Sequence, residues 1–148
     1  DLNVDRRDPG VCVINGSLYV FMGYSQINSA LCSNMERFNI NESNRWELLS
    51  VRDYYDLKLR TNFGMLPVED GVLIIGGVSS SSQVLNDIIH FSLNDFVLRN
   101  SEYGCPFGGS FVEKNMIKCE EDFYLMSYVS FRIMKFDGEN KFFIEVNV

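Results

Sequence analysis

The sequence predicts an all-β chain: three four-stranded antiparallel sheets made by one unit of about 50 residues occurring three times. Three observations predict it. Ala, the best helix former, occurs once in 148 residues, at Ala30, against 12 Phe and 7 Tyr. Aromatic and β-branched side chains suit a pleated surface. Short apolar runs are joined by Asn15-Gly16 and Asp70-Gly71, which are strong hairpin signals. Finally, the same order of runs and turns recurs along the chain.

The second strand of each unit is the clearest. Residues 18–23 read LYVFMG, 72–77 read VLIIGG and 123–128 read FYLMSY, at intervals of 54 and 51 positions. Before each lies a polar turn, at 15–17, 69–71 and 120–122. Before each turn lies a first strand, at 11–14, 63–68 and 116–119. Pro67 lacks a ladder donor, so the second of these is expected at a sheet edge or to end there. The third strands, 35–39, 88–92 and 133–137, carry Phe38, Phe91 and Phe136 at one shared place, each before a small polar residue. These rings are expected to be buried at equivalent positions. Turns at 41–44, 94–95 and 138–140 lead to fourth strands at 45–49, 96–98 and 141–146. The units span about 10–51, 60–101 and 110–147.

Four strands per unit at this period is the pattern of β-propeller blades, which bury their faces by stacking on their neighbours. Motif order then adds a family likeness. Gly76-Gly77 ends a second strand, with Gly23 a reduced version; Phe38-Asn39, Phe91-Ser92 and Phe136-Asp137 are aromatic–polar pairs; Trp46 sits in a fourth strand. In this respect the chain resembles the kelch repeat. The resemblance implies kelch-type blades, with Gly23, Gly76, Gly77, Phe38, Phe91, Phe136 and Trp46 as structural residues. It implies a non-catalytic protein-interaction or scaffold module, of the kind found in ubiquitin-ligase adaptors and cytoskeletal or ciliary scaffolds. The Trp-Asp and Gly-His signals of WD40 blades are absent.

Propellers close with roughly four to eight blades. Three units therefore predict part of a larger propeller, completed by remaining blades or by another chain. The chain starts at Asp1 and is read as processed or a fragment.

Charge and composition narrow the function. Thirteen basic and twenty acidic residues give a net charge of −7, which disfavours nucleic acid and anionic membranes as partners. No apolar run approaches the roughly 20 residues of a membrane-spanning helix. The cysteines at 12, 32, 105 and 119 have no C-x-x-C spacing and His90 is the single histidine, so no metal or other cofactor is expected. Cys12 and Cys119 read as small buried strand thiols in a reducing, cytoplasmic setting, with cytoskeletal association the variant that the resemblance suggests. Asn15-Gly16-Ser17 and Asn41-Glu42-Ser43 match a glycosylation acceptor but read better as turns. His90 faces away from Ile89 and Phe91 by strand alternation. Paired acids at 69–70 and 120–122 fall on turns, and no catalytic residue is assigned.

Partner docking is expected on the loops between second and third strands, at 24–34 and 78–87. Tyr24, Ile27 and Leu31 are the anchors in the first, with Val84 and Leu85 in the second. The linker at 51–60 offers Tyr54 and Tyr55 beside arginines, a combination common at interface hot spots or equally a packing element between sheets. The rival readings are a propeller-type enzyme, galactose-oxidase-like or sialidase-like, and a purely structural segment of a large cytoskeletal or ciliary assembly.

Overall fold

A computed structural model of the chain describes residues 1–42, 44–53, 59–103, 116–119, 122–127, 132–137, 139–140 and 142–146. Among them every regular element is a strand. The first sheet has the order β1 (Gly10–Ile14), β2 (Ser17–Phe21), β5 (Asn34–Asn39) and β6 (Glu47–Ser50), all antiparallel. Asn15 (φ 48°) and Gly16 (φ 72°) make the tight β1–β2 turn that their sequence demands. A two-stranded ribbon, β3 (Tyr24–Ser25) with β4 (Ala30–Leu31), fills the connection from β2 to β5.

The second sheet repeats this order with β8 (Gly64–Val68), β9 (Gly71–Val78), β10 (Val84–Ser92) and β11 (Val97–Asn100). A fifth strand, β7 (Arg52–Asp53), runs parallel to β11 and covers its outer edge. Pro67 lies in the edge strand β8, where its missing N–H costs no ladder bond. The third sheet is β12 (Met116–Cys119), β13 (Asp122–Ser127), β14 (Arg132–Asp137) and β15 (Phe142–Val146).

Alternation decides how the sheets stack. Met65, Val72, Ile74, Ile89, Phe91 and Leu98 form one face of the second sheet and pack on Cys12, Ile14, Tyr19, Phe21 and Met35 of the first. Leu66, Leu73, Ile75 and Ile88 form the opposite face and pack on Leu125, Met134 and Phe143 of the third. The first strands of the units lie side by side, β8 between β1 and β12. Because its two faces are both covered, β9 reads as an almost unbroken apolar run, from Gly71 to Gly77 buried throughout.

Several expectations change. Of the three equivalent phenylalanines only Phe91 is fully buried; Phe38 and Phe136 are half-buried. Among the described residues, Phe91 faces the first sheet and Phe38 lies on the face of its own sheet turned away from the second, while Phe136 packs with Tyr103 and Phe143 toward the second sheet without being enclosed. Trp46 lies just before β6, half-buried against Phe38 with ring centroids 5.4 Å apart. Cys119 is exposed, not a buried strand thiol, because it ends the edge strand β12; Cys12 and Cys32 are buried and all three are free thiols. Leu85 is only 5% exposed. It belongs to β10, opposite Gly77, and the bulge between Leu85 and Ile88 alters which way the strand's side chains point. Leu85 is therefore core, not docking surface. Tyr54, Tyr55, Cys105 and the third unit's loop at 128–131 lie outside the described residues.

Candidate functional site: the loop end of the sheets

The connections between second and third strands gather at one end of the sheets. Turns such as 15–16 and 40–42 gather at the other, where the Ile40 amide donates to the Gly16 carbonyl at 3.1 Å. Two buried arginines organise the loop end, and they sit 54 positions apart like the strands around them. Arg6 Nη1 donates to the Met22 carbonyl at 3.0 Å, and Arg60 Nη1 to the Gly76 carbonyl at 2.9 Å. Met22 directly follows β2 and Gly76 lies near the end of β9, with positive φ of 47° and 62°. Each guanidinium also grips the start of the third strand. Arg6 Nη2 donates to Asn34 Oδ1 at 2.7 Å, and Arg60 bonds both oxygens of Asp87, at 2.8 and 3.0 Å. The arginine thus ties the second strand to the third across the loop in the first two units.

Backbone bridges repeat the relationship. Arg7 pairs with Tyr24 and Thr61 with Val78. Gly23 (φ 87°) and Gly77 (φ 106°) follow the bonded carbonyls. At Gly77 an added Cβ would lie 2.9 Å from both the Thr61 carbonyl oxygen and Phe63 Cβ, so the glycine is needed for the conformation and for the close approach.

In the first unit Arg6 has a second carboxylate. Glu36 Oε1 lies 2.9 Å from Arg6 Nη2, and both side chains are completely buried. Glu36 also accepts the amides of Asn3 (2.5 Å) and Val4 (3.0 Å) and the Asn3 side-chain amide (2.9 Å). Burial pushes the Glu36 carboxyl up, but these donors and Arg6 outweigh it and leave it below its ordinary value. The N-terminal residues are therefore strapped across the first sheet.

Of the sequence-predicted anchors, Ile27 is 82% exposed, the most exposed large apolar side chain among the described residues. It is not on a slack loop. Asp5 Oδ1 accepts the Ser25 hydroxyl at 2.7 Å, Asp5 Oδ2 accepts the Gln26 and Ile27 amides at 2.8 and 3.3 Å, and the Asn28 amide donates to Ser25 Oγ at 3.0 Å. The Ser25 hydroxyl and these amides hold the Asp5 carboxyl below its ordinary value. Tyr24 is half-buried, with the Arg7 guanidinium 5.6 Å above its ring. Leu31 lines an open cleft of about 420 Å³ with Ala30, Leu59 and Ser79 to Ser81. The loops of the first two units therefore meet around Leu31. Val84 is half-buried in β10, outside this cleft. The sequence reading missed Asp5, Arg6, Arg60 and Asp87. The matched spacing of Arg6 and Arg60 was the available signal.

A second cleft of about 270 Å³ opens on the second sheet and the segment that follows it, lined by Asp70, His90, Arg99 and Tyr103 among others. His90 points away from the first sheet, as alternation predicts. Its Nε2 lies 3.2 Å from Asp70 Oδ1 without hydrogen-bond alignment. Arg99 is held by Asp95, whose carboxyl this contact lowers to about 2. Among the described residues no group of three His, Cys, Asp or Glu is placed to hold a metal ion, and no helix is long and apolar enough to cross a membrane.

No protein-family model and no curated protein matches the chain. Among solved structures it is similar to the structure of YjhT, with a TM-score of 0.71 at 10% identity. The match covers 98% of this chain and 51% of that one, so the chain spans about half the length of YjhT. The likeness is one of fold.

Proposed function

We propose that the chain is a non-catalytic protein-interaction module of kelch-type propeller architecture, which engages a protein partner through its loop end. The observation that carries this reading is Ile27: a large apolar side chain, 82% exposed, on a backbone pinned by Asp5 and Ser25. A fixed apolar anchor loses little entropy on binding, which is what makes a hot spot. The cleft at Leu31 beside it would accept a partner's apolar side chain. Two units whose second strand ends near a glycine, Gly23 and Gly77, support the propeller reading, and so do three sheets stacked in chain order.

The test is site-specific photocrosslinking in extract of the native source. A crosslinker at position 27 is expected to capture one defined protein, with capture lost in Leu31→Ser. A crosslinker at Ile40, which is 55% exposed at the opposite end, is the control. Equal capture from both positions, or none from position 27, would place the partner surface elsewhere.

A further inference from the structure

The loop end differs from the rest of the molecule in charge. Asp, Glu, Lys and Arg make up 22% of the chain, yet 24–34 and 78–86 contain none of them. These stretches are not all core: residues 26–30 and 80–83 are exposed throughout. At the opposite end the turns carry Glu42, Glu69, Asp70, Asp95 and Glu139. The charged groups described beside the two loops are already engaged. Asp5 accepts the Ser25 hydroxyl and the amides of Gln26 and Ile27. Arg7 faces Asp8 at 3.5 Å and the ring of Tyr24, and Arg60 holds Asp87 at 2.8 Å. The surface around Ile27 and the Leu31 cleft is thus built from apolar groups, hydroxyls and side-chain amides.

Such a surface selects by what it cannot offset. A charged group brought against it would lose its water with no opposite charge in return, which costs affinity for either sign. Hydroxyls and side-chain amides both donate and accept hydrogen bonds. Gln26, Asn28, Ser29, Ser80 and Ser81 can therefore satisfy neutral polar side chains or the backbone of a partner. Ala30, Leu31 and Leu59 supply the apolar lining of the cleft of about 420 Å³. We infer that the loop end takes an uncharged protein segment. One apolar side chain of that segment sits in the Leu31 cleft, flanked by neutral polar residues, and no Asp, Glu, Lys or Arg lies against residues 26–30. This rests on the proposed docking role of the loop end and adds the chemistry of what docks there. The net charge of −7 then lies away from the contact, and salt has little to screen there.

Selection of phage-displayed random peptides on the chain tests it, with Ile27→Ser, a change at an 82% exposed position, as the counter-selection. The peptides retained are expected to combine a large apolar residue with Ser, Thr, Asn, Gln or Gly and to be depleted in charged residues. Their affinity is expected to change by less than about twofold between roughly 50 and 500 mM salt. Ala30→Glu and Ala30→Lys, at an exposed position on the cleft, are each expected to weaken binding about tenfold, since neither charge finds a partner. Retained peptides rich in Lys and Arg, or in Asp and Glu, would overturn the inference, and so would opposite effects of the two Ala30 variants. Either result would leave the loop end as the docking surface. Failure to obtain any peptide that requires Ile27 would overturn the docking role itself, and this inference with it.

Discussion

Phe21 and Phe91, both fully buried, meet edge to face across the first and second sheets, with ring centroids 4.7 Å apart and planes at 76°. They come from the second strand of one unit and the third strand of the next. Their contact joins two repeats of the same local pattern into one core. Edge-to-face pairs add about 0.5–1.5 kcal/mol beyond the area they bury.

Phe91→Ala is expected to destabilise the chain by about 3–5 kcal/mol, as for other truncated core rings. Phe38→Ala should cost roughly half as much, because that ring keeps one side in solvent. Urea unfolding of both variants checks the order. A larger loss at Phe38 would mean that its outer side is covered in solution.

Removing one member of a buried ion pair leaves the other without compensation. Glu36→Gln is expected to cost about 3–5 kcal/mol, since Arg6 would stay buried beside a neutral amide. Asp87→Asn should cost less than Glu36→Gln, because Asp87 is 46% exposed and water can take up part of what the fully buried Arg60 loses. Chemical denaturation of the two variants measures the contrast.

Acid should unfold the chain through identifiable carboxylates. The carboxyls of Glu36, Asp5 and Asp95 are all lowered by folding. Each therefore contributes stability that is present above its unfolded value and is lost as pH falls toward the folded one. The loss should begin below the ordinary Glu value of 4.5 and continue toward the Asp95 value of about 2. A thermal midpoint measured from pH 7 downward should show this fall, and Glu36→Gln should flatten its upper part.

Gly77→Ala forces a Cβ into a backbone at φ 106° and to 2.9 Å from the Thr61 carbonyl oxygen. The expected cost is about 1–3 kcal/mol from strain alone, with more from the close contact. Thermal unfolding of the variant, beside Gly16→Ala at the exposed end, tests whether the loop-end glycine is the more demanding.

Thiol labelling should separate the cysteines. Burial pushes the Cys12 thiol up to about 12, which leaves it protonated and inaccessible at neutral pH. Cys119 is exposed. Alkylation followed by peptide mass mapping is expected to modify Cys119 in the folded chain and Cys12 only after denaturation.

The sequence by itself determined the all-β class and the order of the four antiparallel strands common to the three main sheets, but not the β3–β4 ribbon or the added strand β7. These follow from period-2 alternation and from turn residues such as Asn15-Gly16, whose effects act over a few positions. It also placed His90 and Phe91 on opposite faces, since alternation requires nothing beyond the strand. Tertiary structure alone decided which equivalent positions are equally buried. Phe91 is enclosed between the first and second sheets and Phe38 lies on the face of the first sheet turned away from the second, while Phe136, on the inner face of the third sheet beside Tyr103 and Phe143, is still half-buried. It decided that Leu85 is core and Cys119 is surface, because a bulge and an edge position are set by pairing with β9 and β13. It also decided the partners of Arg6 and Arg60. Their charge is visible in the sequence, but the carbonyls and acids that offset their burial lie 16 to 30 residues away. Only the packed sheets bring those groups within hydrogen-bond reach.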